Sequence, residues 1–251
     1  MLHVLKRHPI PIQAFLRQSL VLTYAFPSEL LQPLLSPGLS LDTYGWYGFL
    51  AIALVQTEKL HPAFLPTVLG GNFFLSGYRL FTRFGTRASS LRGLRILRTD
   101  SNSRWMVNFG NIFTHYQYSL CDTDLSERDG VIDWNIRTPG EQADLRVIAN
   151  THCDATLLPP ESPFLNLKEA RRFAGPLPYT FDYERETHSI VRIRGVRQHW
   201  NPKPVAVEVF RNTFLHREPF CRATPILASA FHVHDIPYRW NCGVRTALER
   251  A

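Results

Sequence analysis

The sequence predicts a mainly β domain of the α+β class, folded as a strongly curved, largely antiparallel sheet or a cone-like barrel with a few peripheral helices. The 18 prolines are spread along the 251 residues, which indicates many short elements separated by turns. The 17 Phe, nine Tyr and five Trp supply bulky side chains for one large core. A chain of 251 residues lies near the upper size of such a core, so we expect a single domain over residues 1–251.

The first elements are expected to be a long apolar segment, a short helix and a long strand. The apolar run from Ile12 to Phe26 fits either a helix or a strand. Pro27-Ser28 then opens a short helical piece, which Pro37-Gly38 ends. The run from Tyr44 to Gln56 is nearly continuous in aromatic and β-favouring residues. This pattern is typical of a strand covered on both faces.

The segment from Asn72 to Arg83 alternates as a further strand. One face carries Phe73, Leu75, Arg79 and Phe81, and the other carries Phe74, Tyr78 and Leu80. After it, Leu91 to Arg98 and Arg104 to Tyr118 flank the turn-forming cluster Asp100-Ser101-Asn102. We therefore predict a hairpin of two strands.

The predicted strand from Arg104 to Tyr118 is polar on both faces. Strict alternation puts Asn111, His115 and Gln117 on one face and Asn108, Thr114, Tyr116 and Tyr118 on the other. A barrel interior lined in this way would be a polar cavity. His115 would be its natural proton donor or acceptor, because its unperturbed pKa lies near neutrality. The alternative is a structural network whose hydrogen bonds are all satisfied.

The second half is expected to be strands with one clear helix. Residues Cys121 to Asp144 are rich in acids and indicate a solvated loop with one embedded strand at Val131 to Ile136. Ser162-Pro163 opens a capped helix that Gly175-Pro176 ends. Further strands are predicted at Leu145 to Thr151, Ile190 to Val196, Val205 to Val209 and Leu227 to Ile236.

Positive charge is concentrated in one part of the chain, whose net charge is +7. Between Leu60 and Leu120 the only acid is Asp100, against Arg79, Arg83, Arg87, Arg92, Arg95, Arg98 and Arg104. One interpretation is that the acidic segment from Asp122 to Asp144 folds over these arginines. The other is an anion-binding pocket, in which Arg79 and Arg92 bind a carboxylate or phosphate bidentately. Nucleic-acid binding is disfavoured because no dense Lys/Arg block and no interleaved stacking motif are present.

Metal, nucleotide and membrane functions have little support in the sequence. His232-Val233-His234 places two imidazoles on one strand face, but no third ligand is fixed by spacing, so no metal is expected. No nucleotide-binding motif occurs, and no cofactor is expected. The cysteines Cys121, Cys153, Cys221 and Cys242 lie far apart, and His152-Cys153-Asp154 would point to opposite strand faces. No apolar run reaches the roughly 20 residues of a bilayer span, and no signal peptide is recognised, so a cytoplasmic protein is expected.

Four segments resemble one known family: GNFFLSGYRLF from Gly71, LRGLRILRTD from Leu91, MVNFGNIFTHYQY from Met106 and FHVHDIPYRW from Phe231. The chain is similar to a bacterial family classified only as domain of unknown function family 2071, in the acetoacetate decarboxylase-like superfamily. The resemblance implies a cone-shaped, closed or nearly closed β-barrel with an internal polar cavity. In the decarboxylase itself, a barrel lysine forms a Schiff base with a β-keto acid.

The sequence departs from that family pattern at the lysine. A register that sets Gly110 on the glycine before the decarboxylase's active-site run leaves Tyr118 and Ser119 where its paired lysines would stand. None of Lys6, Lys59, Lys168 and Lys203 suits the mechanism, so Schiff-base decarboxylation is a minority hypothesis.

The sequence favours a cavity for a small anionic or carbonyl compound. His115 and Tyr116 would handle protons there, and the ligand contacts would be Arg79, Arg92, Asn108, Asn111, Thr114 and Tyr118. The protein is then either an enzyme or a non-catalytic binding protein. Nucleic-acid binding through surface arginines is the weaker alternative.

Overall fold

A computed structural model describes residues 2–86, 89–154, 158–175 and 177–249. Its strands are β1 (Ile12–Pro27), β2 (Leu39–Leu41), β3 (Tyr47–Pro62), β4 (Gly71–Thr86), β5 (Ser89–Ser101), β6 (Tyr118–Leu120), β7 (Asp122–Arg128), β8 (Val131–Arg137), β9 (Leu145–Asp154), β10 (Tyr179–Glu184), β11 (Ser189–Arg197), β12 (Lys203–Asn212), β13 (Ile226–Trp240) and β14 (Val244–Ala247). The α-helices are α1 (Ser28–Leu31), α2 (Arg104–Phe113) and α3 (Leu167–Phe173). Short 3₁₀ turns cover Leu2–Arg7, Gln32–Leu34, Thr67–Leu69, Pro139–Glu141, Thr213–His216 and Phe220–Arg222.

Seven of the strands pair in a closed order. They follow one another as β13-β1-β3-β4-β5-β10-β11, and β11 pairs again with β13 through Gly195 to Arg197. Most of these pairings are antiparallel, but β10 runs parallel to β5 through Tyr179 and Thr180, and β6 also runs parallel to β5. The sheet is therefore mixed, where the sequence predicted a largely antiparallel one.

A second layer covers the outside of this ring of strands. Strands β12, β9, β8 and β7 continue the sheet beyond β13. Trp134 on β8 is fully buried in one core cluster with outward-facing residues of β1 and β4, including Leu20 and Tyr78. The Tyr78 hydroxyl donates to the carbonyl of Ala143 at 3.1 Å, whereas the Trp134 Nε1 is buried with no hydrogen-bond partner among the described residues.

Several predicted elements are confirmed. Residues Ile12 to Phe26, which fitted helix or strand, form strand β1, and the predicted short helix begins at Ser28. Strand β3 is buried on both faces over most of its length. The alternation predicted for β4 is also confirmed, because Phe73, Leu75, Arg79 and Phe81 all face the interior of the ring.

The predicted hairpin is wrong. Residues Arg104–Phe113 form helix α2, whose N-cap Ser103 accepts a hydrogen bond from the Met106 amide at 3.3 Å. The segment Leu91 to Arg98 belongs to β5, which pairs with β4 instead. Aromatic residues four apart stabilise the helix: Trp105 stacks on Phe109 at 5.4 Å between ring centroids, and Phe109 stacks on Phe113 at 6.2 Å.

Two predictions for the second half also need correction. The segment Cys121 to Asp144 contains a further strand, β7, which pairs with β8. The later helix begins at Leu167 rather than near Ser162, because the Asn166 side chain accepts from the Glu169 amide and caps it there. Pro176, the predicted end of that helix, lies outside the described residues, as does Arg87.

Among the described residues, no carboxylate of the acidic segment pairs with an arginine between Leu60 and Leu120. Its carboxylates pair with arginines of its own layer, in the pairs Asp124–Arg137, Asp133–Arg146 and Asp144–Arg211. Among the described helices, none is long and apolar enough to cross a membrane.

Candidate functional site

The ring of strands encloses a cavity of about 670 Å³. This volume lies within the range of about 300 to 1,000 Å³ that small-molecule pockets occupy. All seven ring strands contribute inward-facing side chains, and α2 covers one end with Trp105, Met106, Phe109 and Phe113. The wall is mostly apolar. Its described titratable residues are His8, Arg79, Tyr116, Tyr118, Tyr179, Arg197 and Tyr238, and none of its described residues is an acid or a lysine.

Arg79 is the central polar group of the cavity. It lies on β4 and faces inward, and its Nε is buried with no hydrogen-bond partner among the described residues. Burial lowers the pKa of its guanidinium, while Tyr238, Tyr116 and Tyr118 lie close enough to oppose that shift. An arginine keeps its charge even under such burial. The cavity therefore contains a fixed cation with no carboxylate in its described wall.

Two tyrosines beside Arg79 are held by the segment that follows α2. The Asn111 side chain donates to the Tyr118 carbonyl and accepts from the Tyr118 amide, both at 2.9 Å. Thr114 donates to the Gly110 carbonyl at 2.8 Å and accepts from the Tyr116 amide at 3.2 Å. Burial raises the pKa of both tyrosine hydroxyls, so both are protonated and able to donate a hydrogen bond at neutral pH.

Glycines make room for three of the cavity's polar side chains. A Cβ on Gly77 would come within 2.7 Å of the Arg79 Nε, so this guanidinium lies directly over Gly77. A Cβ on Gly110 would overlap the ring of Tyr118, and one on Gly195 would overlap the Tyr238 hydroxyl. Glycine at these three positions leaves space for the neighbouring polar side chains, because any larger residue would displace those side chains.

A second arginine lies beside Arg79. Arg197 on β11 donates to the Leu177 carbonyl at 3.2 Å and lies over the rings of Trp200 and Tyr238, at 5.1 and 5.6 Å from their centroids. Burial lowers its pKa, and the positive charge of Arg79 lowers it further. Two like charges in one apolar cavity strengthen its preference for an anion.

A buried acid lies behind Tyr116. Asp182 on β10 is only 4% exposed, and its Oδ2 has no hydrogen-bond partner among the described residues. Burial raises the pKa of this carboxyl to about 7, against the influence of the Arg95 charge. Asp182 also raises the pKa of Tyr116, although it does not itself line the cavity.

The structure brings together some of the sequence-predicted site residues and separates others. Arg79, Thr114, Tyr116 and Tyr118 line the cavity, and Asn111 positions Tyr118 from behind. Asn108 is exposed on α2 and does not line it.

Arg92 and His115 also lie outside the cavity wall. The Arg92 Nε donates to the buried Asp42 at 2.5 Å, and its Nη2 donates to the Phe173 carbonyl at 2.9 Å. His115 is half-buried, and burial and Lys6 lower its pKa. Because α2 is a helix, the alternation that grouped His115 with the other polar residues does not apply.

The paired histidines of β13 do not form a larger donor cluster. His232 is buried and His234 is exposed, with ring centroids 5.9 Å apart. Within the described residues, no group of three or more His, Cys, Asp or Glu could hold a metal ion. The side chains of Cys153 and Asp154, part of the His152-Cys153-Asp154 run, lie outside the description.

Sequence reasoning missed Arg197, Tyr238 and Asp182. Arg197 continues the face of Val191 and Ile193 on β11, but it lay one residue beyond the predicted end of that strand at Val196. Tyr238 lay just beyond the predicted end of its strand. A longer reading of FHVHDIPYRW as one strand would have placed Tyr238 and Trp240 on one face.

The comparisons with known proteins agree on the fold. A family model described as an uncharacterized conserved protein, domain of unknown function family 2071, matches residues 13–234. No curated protein matches the chain. An acetoacetate decarboxylase-like enzyme from Sphingomonas wittichii RW1 is 12% identical, with a TM-score of 0.62 over 98% of this chain and 96% of that one.

Two further solved structures are similar. Acetoacetate decarboxylase from Legionella pneumophila is 12% identical, with a TM-score of 0.59 over 95% of this chain and 88% of that one. The enduracididine biosynthesis enzyme MppR, complexed with pyruvate, is 12% identical, with a TM-score of 0.60 over 94% of this chain and 90% of that one. At this identity the likeness shows an acetoacetate decarboxylase-like fold.

Proposed function

The chain belongs to domain of unknown function family 2071, and we propose that it binds a small anionic compound inside a closed barrel formed by its seven ring strands. The single observation behind the proposal is Arg79, a half-buried cation whose buried Nε has no hydrogen-bond partner among the described residues and whose described cavity wall contains no carboxylate. Isolated charges are costly to bury, and proteins pair them. A ligand carboxylate would supply the missing charge and the missing hydrogen bonds together.

The neighbouring groups suit a carboxylate or an α-keto acid. Tyr116 and Tyr118 keep their protons and can donate to ligand oxygens, and Arg197 adds a second positive charge. One of the similar structures, MppR, is described as complexed with pyruvate. A carbonyl next to the carboxylate would accept a hydrogen bond from a tyrosine hydroxyl, and proton exchange is assigned to Tyr116.

Binding without Schiff-base chemistry is part of the proposal. All four lysines lie in the described residues, and none lines the cavity. Lys59, Lys168 and Lys203 are exposed at the surface. Borohydride reduction in the presence of pyruvate should therefore leave the protein mass unchanged. A mass increase on any lysine would restore the decarboxylase mechanism.

The binding proposal is tested by calorimetry with pyruvate, acetoacetate and benzoate, each compared with its methyl ester. We expect the acids to bind and the esters to bind at least tenfold more weakly, because one charged hydrogen-bonded pair is worth about 1.5 to 3 kcal/mol. Arg79→Met should remove that difference. Arg146→Met is the matched control, because Arg146 pairs with Asp133 in the outer layer and does not line the cavity.

Arg92→Met separates this proposal from the sequence-based alternative. Arg92 was expected to bind the anion, but it is engaged by Asp42. We expect its replacement to change stability and leave acid binding intact. Loss of acid binding in Arg92→Met but not in Arg79→Met would overturn the assignment.

The enzyme and the non-catalytic binding protein share this cavity and differ in turnover. Product formation from a bound keto acid that is lost in Tyr116→Phe would identify an enzyme. Tight binding without turnover identifies a binding protein. Nucleic-acid binding stays the weaker alternative, and its mark would be an affinity that falls steeply with added salt.

A further inference from the structure

The cavity opens to solvent at one end through a mouth made of apolar side chains. Three large apolar residues line the cavity and are also well exposed, Leu69 (67%), Trp105 (73%) and Phe109 (47%), and the exposed Pro9, Gly71 and Asn72 line it as well. A side chain that both faces the cavity and meets solvent marks its opening. Trp105 and Phe109 stack on each other, and a contiguous exposed apolar patch of this kind often marks a ligand or partner site.

The anion site lies well inside that mouth. The Arg79 guanidinium lies over Gly77, and Phe73 near the mouth is four residues earlier on the same face of β4. Four residues of a strand span about 13 Å. Helix α2 lies across this end of the cavity, because it follows directly on β5 and its Phe113 carbonyl accepts a hydrogen bond from the His8 amide at 3.1 Å.

The space between the mouth and Arg79 is lined by apolar groups. Trp105, Phe109 and Phe113 form a continuous stack on α2, in which Trp105 is the most exposed ring and Phe113 is half-buried. Opposite them lie Leu75 of β4 and Val55 of β3. A small, fully polar ligand would leave this wall without contacts, and a ligand with an apolar tail would cover it.

We infer that the ligand is a monocarboxylate with an extended apolar tail, whose carboxylate binds at Arg79 and whose tail runs along the inner face of β4 to the aromatic residues of α2 at the mouth. This inference rests on the proposed function and adds the class of ligand. A zigzag chain with carbon–carbon bonds of about 1.5 Å covers the roughly 13 Å with about ten carbons. The tail ends between Leu69, Trp105 and Phe109.

A series of straight-chain alkanoates from butyrate to tetradecanoate tests the inference by calorimetry below their micellar concentrations. Each added methylene should tighten binding by roughly two- to fourfold until about ten carbons, after which the gain should stop. Phe109→Ala should weaken decanoate at least tenfold and leave butyrate within twofold. Phe64→Ala is the matched control, because Phe64 is 69% exposed and does not line the cavity.

The outcomes separate the inference from the proposed function. Arg79-dependent binding that is equally tight for butyrate and decanoate would overturn the tail and leave the anion site standing. A steady gain beyond fourteen carbons, or an unchanged chain-length profile in Phe109→Ala, would also overturn the inferred tail path. Decanol binding as tightly as decanoate would instead overturn the anion site, and with it the proposed function. Failure of every alkanoate to bind would overturn both.

Discussion

The protein has two sites that contain arginine and aspartate, and they differ in whether each charged group has a partner within the protein. Around Asp42, whose carboxylate is fully buried, the Arg83 Nε donates at 2.7 Å and the Arg92 Nε at 2.5 Å. Around the cavity, Arg79 has a buried Nε without a partner, and Asp182 has a buried oxygen without one. The two sites share strand β4, which carries both Arg79 and Arg83.

The difference teaches which arginines the fold uses for itself. Arg83 and Arg92 neutralise an acid and also donate to Ser90 and to the Phe173 carbonyl, so their charges belong to the structure. Arg79 is free of such a partner in the described wall, and three glycines leave room for it and its neighbours. An arginine without a partner inside the protein is available to pair with a ligand.

The largest expected effect is on the completed site. Asp42→Asn removes the charge that two arginines share, so we expect the free energy of unfolding to fall by about 3 kcal/mol. Urea denaturation measures this. The surface pair Asp124–Arg137 is the control, and Asp124→Asn should cost less than about 0.5 kcal/mol. Equal effects of the two substitutions would contradict the contrast between a buried and an exposed site.

The next effect belongs to Asp182 and depends on pH. Its folded pKa of about 7 is above the ordinary value of 3.8, so the wild type loses stability as the pH rises between these values. Asparagine does not titrate. We therefore expect the free energy of unfolding of Asp182→Asn, relative to that of the wild type, to rise by on the order of 2 kcal/mol between pH 5 and pH 8. Denaturation curves at both pH values that give the same difference would contradict a buried, incompletely paired Asp182.

A smaller effect is expected from filling the space beside Arg79. Gly77→Ala should displace the guanidinium and weaken carboxylate binding about tenfold, with little loss of stability, because the group it meets is the end of a flexible side chain. Gly71→Ala is the control on the same strand face, where an added Cβ meets only the Phe73 ring at 3.5 Å. If calorimetry gave equal affinities for both variants, Arg79 would not be the anion contact.

The smallest effect is expected at His115. Since His115 lies outside the cavity wall, His115→Ala should change ligand affinity by less than twofold. Any turnover found for a keto acid should also survive this substitution. Loss of turnover with intact binding would return His115 to the proton-handling role that the sequence suggested.

The sequence predicted the strands better than the site. The two-residue alternation of side chains along β4 placed Arg79 on the correct face, because side chains point to opposite faces even in a strand that is covered on both sides. It failed after Ser103, where Asn, Thr and Tyr residues suggested a strand although Trp105, Phe109 and Phe113 recur every four residues. The helical period was present in the aromatic residues, and the polar residues concealed it.

Two other features could not be predicted from one sequence. Arg92 and Asp42 are 50 residues apart, and local patterns do not show that they meet. Arg197 reaches the cavity only because β11 pairs with both β10 and β13, which is a property of the tertiary fold. Sequence alternation assigns faces within one strand and does not show which strands become neighbours.

The ring of strands is not joined with equal strength all the way round. Strand β1 pairs with β3 along almost its full length, whereas β10 meets β5 only at Tyr179 and Thr180. Backbone amides at a seam this short exchange with solvent through local opening well below the cost of global unfolding. The side of the cavity that contains β10 and Asp182 should therefore open locally more often than the side that contains Arg79. Amide exchange in this protein would then be quickest along one side of the cavity, and a ligand bridging both sides would slow it.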